Sequence, residues 1–223
     1  MTFWLELEKD EDVASAAADA IEEYARLAIQ KKGEFKLVLA GGTTPQRCYQ
    51  LLAKRNLEWD KWKLFYGDER CLPVDHKDRN HQMVLGTGLA DKAARHYIIP
   101  AELGPLKGAA LYESQIKDEM PFDFVLLGMG EDGHTASLFP GLIEGNTSSE
   151  KLVIPVFDAP KPPPERVSLT QDALQSCLKL LVLITGEGKR DAVHRWKQGE
   201  ILPVTEVSDC SQSAVYIVKE LLT

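Results

Sequence analysis

A doubly wound α/β fold, a mainly parallel sheet with helices on both faces, is what this sequence predicts. Four short apolar runs are continuous rather than alternating, as in strands covered on both sides. Each is followed by a glycine-rich or charged loop and then by a helical pattern. The 223 residues are 44% apolar and 27% charged. That is enough apolar surface for one α/β domain over residues 1–223 without disulfides or a structural metal.

Residues 3–8 alternate, as an edge strand does. Asp10 is placed to cap the next helix, whose first turn is acidic. Val13, Ala17, Ala20, Ile21, Tyr24, Leu27 and Ala28 share one helical face, and Gly33 ends the helix. The first continuous run, 35–40, leads into Gly41-Gly42-Thr43-Thr44 and a helix with Pro45 at its first position. The second, 63–66, leads into Gly67-Asp68-Glu69-Arg70. The third, 122–127, precedes the glycine-rich stretch 128–133. The fourth, 178–184, precedes Thr185-Gly186-Glu187-Gly188-Lys189 and a helix. Ala159-Pro160-Lys161-Pro162-Pro163-Pro164 reads as a stiff surface connection. Ligands of such sheets bind outside the carboxyl ends of the strands, so all four loops are expected to open on one edge.

Several classes fall away. No stretch approaches the ~18 to 20 apolar residues of a membrane span. The opening Met1-Thr2-Phe3-Trp4-Leu5-Glu6 lacks the basic start and apolar run of a signal peptide. The four cysteines, Cys48, Cys71, Cys177 and Cys210, are scattered and form no CxxC pair, as expected of reduced thiols in the cytoplasm. With 26 Lys+Arg against 34 Asp+Glu, a net charge of −8 argues against nucleic-acid binding. An anionic ligand would need a local basic cluster.

The loops supply one. Gly41 and Gly42 let backbone approach a ligand, and Thr43 and Thr44 add hydroxyls at a helix start; this is either an anion cradle or an ordinary strand-to-helix turn. The stretch 128–133 formally matches GxGxxG. A Rossmann-like sheet with a nicotinamide or flavin would need a long helix next and a second strand about 20 residues on. Instead Pro140 and Gly141 cut the following helix short, and residues 145–150 show no strand pattern. No dinucleotide site is expected. Asp132 and His134 offer another reading, a general base with an orienting carboxylate, against the alternative of a surface histidine. Asp68-Glu69-Arg70 places acid and base after a strand, either to hold an anion or polarise a carbonyl, or as a solvated salt bridge. Asp75, His76, Asp78, Asn80 and His81 lack metal-ligand spacing, so no metal is expected. Lys161, Arg166 and Lys189 are late cations, each either a solvated side chain or an anion contact; the Walker spacing is absent, and Lys189, at a strand end, is placed to meet a single phosphate as a point charge.

Four ordered blocks then carry a resemblance. Leu39-Ala40-Gly41-Gly42-Thr43-Thr44-Pro45 and Tyr66-Gly67-Asp68-Glu69-Arg70 are the first two. Leu127-Gly128-Met129-Gly130-Glu131-Asp132-Gly133-His134-Thr135-Ala136-Ser137-Leu138-Phe139-Pro140 is the third, and Pro162-Pro163-Pro164-Glu165-Arg166-Val167-Ser168-Leu169-Thr170 the fourth. In this order the chain from about residue 35 to 189 resembles the 6-phosphogluconolactonase family. The related glucosamine-6-phosphate deaminases typically read Asp-Glu-Tyr at Asp68-Glu69-Arg70, and His-Ile-Ala-Phe-Asn-Glu-Pro from His134 on. Many lactonases have Ser where this chain has Arg79, which leaves the roles of Arg79 and Asn80 open.

The resemblance implies a cytoplasmic carboxylic ester hydrolase without cofactor or metal, acting on a small sugar-phosphate lactone as a monomer or small homo-oligomer. His134 would activate water, Asp132 would support His134, Arg70 would stabilise negative charge, and Asp68 would position Arg70 or substrate hydroxyls. Gly41, Gly42, Thr43 and Thr44, with Lys161, Arg166 and Lys189, would take the phosphate. Two rival expectations are deaminase or isomerase chemistry and a non-catalytic sugar-phosphate sensor.

Overall fold

The computed structural model describes residues 2–142 and 151–223. β1 (Phe3–Leu7) leads into α1 (Asp10–Lys32), β2 (Phe35–Leu39), α2 (Thr43–Leu52), β3 (Trp62–Tyr66) and the short β4 (Asp68–Arg70). Next come α3 (Asn80–Leu85), β5 (Arg95–His96), α4 (Pro105–Ile116) and β6 (Phe122–Gly128). The chain continues with β7 (Val153–Val156), β8 (Arg166–Leu169), α5 (Gln171–Gln175) and β9 (Cys177–Ile184), and ends with α6 (Arg190–Lys197), α7 (Pro203–Ser208) and β10 (Ser213–Val218).

Seven strands form one sheet in the order β1-β10-β9-β6-β2-β3-β5, and every neighbouring pair is parallel. The predicted edge strand is the edge strand. Every residue of β2 is buried. Successive side chains point to opposite faces, so complete burial means that both faces are covered. Tyr24 of α1 packs edge-on against Phe124 at 5.5 Å. Tyr112 of α4 donates to the Tyr66 carbonyl at 3.0 Å and accepts from the Tyr66 N–H at 2.9 Å.

From the middle of the sheet the chain runs outward in two directions, through β3 to β5 and through β9 to β10. The reversal falls between the neighbours β2 and β6, the crevice where open α/β sheets bind ligands. The loops after these two strands abut: a Cβ on Gly128 would lie 3.8 Å from the Gly41 carbonyl oxygen.

Some expectations are corrected. Lys9, not Asp10, is the N-cap of α1; its N–H donates to Asp12 Oδ2 at 3.1 Å, three residues into the helix. On that helix Val13, Ala17, Ile21 and Ala28 are buried as expected, whereas Leu27 is 47% exposed; Ala14, Ala18, Ala25 and Ile29 complete the buried stripe. Pro45 is the third helical residue, because Gly42, at φ 109°, is the cap whose carbonyl accepts from Gln46. Asp68-Glu69-Arg70 is a strand, not a loop. It pairs antiparallel with β8, which pairs with β7 in a second, three-stranded sheet. The proline-rich segment joins β7 to β8. Among the described residues no helix follows the stretch 128–133; the Leu138 N–H closes a turn onto the Thr135 carbonyl at 2.9 Å, with Ala136 at φ 49°. Residues 145–150 lie outside the described residues. Among the described residues no helix is long and apolar enough to cross a membrane.

Candidate active site

A cavity of about 350 Å³ opens at the carboxyl ends of β2, β3 and β6. Gly41, Gly42, Asp68, Arg70, His134, Lys161, Arg166 and Lys189 all line it. Asp132 stands behind His134. Thr43 and Thr44 are not among its lining residues. They border a second cavity with Asp10, Glu11 and Arg47, and the Thr44 hydroxyl is tied to the Thr185 hydroxyl at 2.5 Å. What the start of α2 can offer the main cavity is therefore backbone, since the first N–H groups of a helix have no partner within it.

The loop after β6 is folded around its histidine. The Gly130 N–H donates to the His134 carbonyl at 2.7 Å, and Gly133 sits at φ +85° with its N–H on the Gly130 carbonyl. Gly130 cannot carry a side chain: a Cβ there would lie 2.0 Å from His134 Nδ1. The ring packs on Phe139 at 4.5 Å between centroids, and its Nδ1 meets Asp132 Oδ1 at 2.5 Å. With Nδ1 committed as a donor, Nε2 is the basic nitrogen. Burial lowers the His134 pKa below 6.5, outweighing the hydrogen bond and charge of Asp132. Burial alone would raise the Asp132 pKa, but hydrogen bonds and charge from His134 leave it lowered. The pair is thus poised as neutral imidazole beside carboxylate.

Asp68 is almost fully buried and held by two neutral donors. Asn80 Nδ2 donates to its Oδ1 at 2.9 Å, and Ser137 Oγ donates to its Oδ2 at 2.6 Å. It does not bond Arg70; the nearest guanidinium is that of Arg166, with Nη1 4.0 Å from Oδ2. Asn80 is held in turn. Glu69, fully buried, accepts from the N–H groups of Arg70, Asn80 and His81 at 2.8 to 2.9 Å. Arg79, also fully buried, donates to Ile99 O at 2.7 Å and to Glu102 Oε2 at 2.9 Å. Arg79 therefore braces the start of α3, and Asn80 orients a cavity carboxylate. Sequence reasoning left both roles open and missed Ser137 and Glu69. The available signal was the run of polar residues inside otherwise apolar blocks.

Four cations face the cavity in a protein of net charge −8. Arg166 is buried, donates to the carbonyls of Lys161 and Pro163, and lies 5.4 Å from the Phe139 ring centre. Arg70 donates to the Asp78 carbonyl, and its buried Nε has no partner among the described residues. Burial lowers the pKa of Lys189. Among the described residues no group of three or more His, Cys, Asp or Glu is placed to hold a metal ion. His81 turns instead to the Tyr66 hydroxyl at 3.1 Å.

The chain is similar to a probable chloroplastic 6-phosphogluconolactonase of Oryza sativa subsp. indica, 34% identical over 88% of this chain and 69% of that one. It is 32% identical to a probable 6-phosphogluconolactonase of Drosophila melanogaster over 82% of this chain and 78% of the other. A crystal structure of 6-phosphogluconolactonase from Thermotoga maritima superposes with a TM-score of 0.87 at 29% identity, covering 98% of this chain and 99% of that one. The family model described as glucosamine-6-phosphate isomerases/6-phosphogluconolactonase matches residues 8–216, so the chain belongs to that family.

Proposed function

We propose that the protein hydrolyses 6-phospho-D-glucono-1,5-lactone to 6-phospho-D-gluconate, a step of the oxidative pentose phosphate route. One observation carries the mechanism: His134, its Nδ1 held by Asp132, lines the same cavity as Arg70, Lys161, Arg166 and Lys189. In this reading His134 Nε2 takes a proton from water as its oxygen bonds to C1. The tetrahedral oxyanion then collapses, the bond from C1 to the ring oxygen breaks, and His134 returns the proton to that oxygen. The net change is addition of one water.

Arg70, which lines the cavity, stabilises the developing negative charge. Arg166, Lys161 and Lys189, with backbone at Gly41 and Gly42, hold the phosphate. Asp68, fixed by Asn80 and Ser137, accepts from substrate hydroxyls.

The test is a coupled assay in which glucose-6-phosphate dehydrogenase generates the lactone and its loss is measured above the spontaneous rate. His134→Ala is expected to lower kcat by about 10² to 10⁴, the usual worth of general-base assistance, with the fold intact. Near-normal turnover in that variant removes His134 from the mechanism. Ammonia released from glucosamine 6-phosphate would mark a deaminase instead.

A further inference from the structure

We propose that Glu131 is a counter-charge that weakens phosphate binding and so eases release of the product. This rests on the reading above, in which Lys161 and Lys189 meet the phosphate. Three separate segments converge here. Glu131 lies on the loop after β6, Lys161 on the β7–β8 connection, and Lys189 on the turn after β9. Glu131 Oε2 accepts from Lys161 Nζ at 3.3 Å. Its other oxygen leans over the third segment, where a Cβ on Gly188 would lie 2.8 Å from Oε1. Both lysines line the cavity and Glu131 does not. A carboxylate thus stands outside the cavity lining, beside two lysines that belong to it. Lys189 senses it: burial lowers the lysine's pKa and Lys161 adds to the fall, while Glu131 opposes both.

The Glu131 side chain is 62% exposed, so its ion pair does little to hold Lys161 in place. Its charge, by contrast, subtracts from the field that any anion at the lysines feels. The phosphate is unchanged by the reaction, and the part of its binding that is equal in ground and transition states lowers KM without raising kcat. Surplus affinity would only retain the product, which carries the same phosphate and a new carboxylate.

Glu131→Gln is expected to lower KM for the phosphorylated lactone about threefold to tenfold, the effect of one charge several ångströms away through a partly solvated medium. The inhibition constants of 6-phosphogluconate and inorganic phosphate fall with it, kcat does not rise, and the difference from wild type shrinks in high salt. Hydrolysis of unphosphorylated glucono-1,5-lactone is unchanged. Calorimetry with inorganic phosphate reads the same contrast without turnover. An unchanged or raised KM, or an equal shift for the unphosphorylated lactone, overturns the proposal. Lys161→Gln and Lys189→Gln separate the two readings. If they raise KM while Glu131→Gln does nothing, only the counter-charge is wrong. If they leave KM unchanged, the phosphate assignment fails as well.

Discussion

Gly41 leaves the space that Asn80 fills: a Cβ on Gly41 would lie 2.0 Å from Asn80 Oδ1. Asn80 in turn donates to both the carboxylate and the carbonyl of Asp68, at 2.9 and 3.0 Å. A glycine after β2 therefore sets where a carboxylate after β3 points. Gly41→Ala should displace Asn80 and turn Asp68 in the cavity. A misplacement of about 1 Å can lower turnover by up to roughly 10²-fold, so kcat/KM is expected to fall by one to two orders of magnitude. Steady-state kinetics beside a thermal melt checks this. Unchanged kinetics in a folded variant would separate Gly41 from the site.

Ser137 fixes the other Asp68 oxygen at 2.6 Å, and both residues are buried. Without that hydroxyl the carboxylate is free to close the 4.0 Å gap to Arg166 Nη1 and neutralise a cation that the proposed mechanism assigns to the phosphate. Ser137→Ala is therefore expected to raise KM more than it lowers kcat. Its loss of stability should be about 1.5 to 3 kcal/mol, the range for a hydrogen bond to a charged group. Denaturant unfolding and kinetics together test it; a drop in kcat alone would contradict the Arg166 link.

These two residues show where sequence reading reached and where it stopped. The sheet was legible because residues 37–39 and 124–127 are apolar without alternation, a pattern that suits buried parallel strands. Gly41, Asp132 and His134 were legible as loop residues at strand ends, and the fold brings Gly41 and His134 to one cavity with Asp132 on the His134 ring. The clamp on Asp68 was not, since Ser137 lies 69 residues away and meets it only through the tertiary fold. The second sheet was hidden because its strands are three or four residues long and include Asp68, Glu69 and Arg70, which carry no apolar period. Thr43 and Thr44 were overread, because the hydroxyl of Thr44 is taken by Thr185 and the glycine cap brings backbone to the cavity.

The proposed histidine base makes the pH profile predictable. Burial lowers the His134 pKa below 6.5, so the neutral form is present at neutral pH. Activity is lost as pH falls through that lowered value. The acid side of kcat/KM should therefore have its midpoint below 6.5. Asp132→Asn removes an influence that raises the His134 pKa, and it also frees the ring to rotate. Its remaining acid transition is expected to move lower still, with kcat reduced about 10² to 10⁴. A wild-type midpoint above 6.5 would show that the carboxylates, not burial, dominate.

A second acid response arises away from the cavity. The Tyr66 hydroxyl lies 2.5 Å from His96 Nε2 and 3.1 Å from His81 Nδ1, and the two rings are 5.2 Å apart. One hydroxyl can donate to one neutral ring and accept from the other, but it cannot satisfy two imidazolium donors. Burial, with the nearby His81, lowers the His96 pKa from 6.5 to about 4. Burial and Arg79 lower that of His81. Between these values the unfolded chain binds protons that the folded chain refuses. The stability from the neutral cluster is full above 6.5 and is lost as pH falls toward 4. Denaturant melts across that window should show a steady decline in the wild type. His96→Gln, which keeps hydrogen-bonding capacity without a titrating ring, should flatten it. Because His81 directly follows Asn80 at the start of α3, the same protonation should loosen the Asp68 clamp. An equal slope in both proteins would mean that other groups drive the acid response.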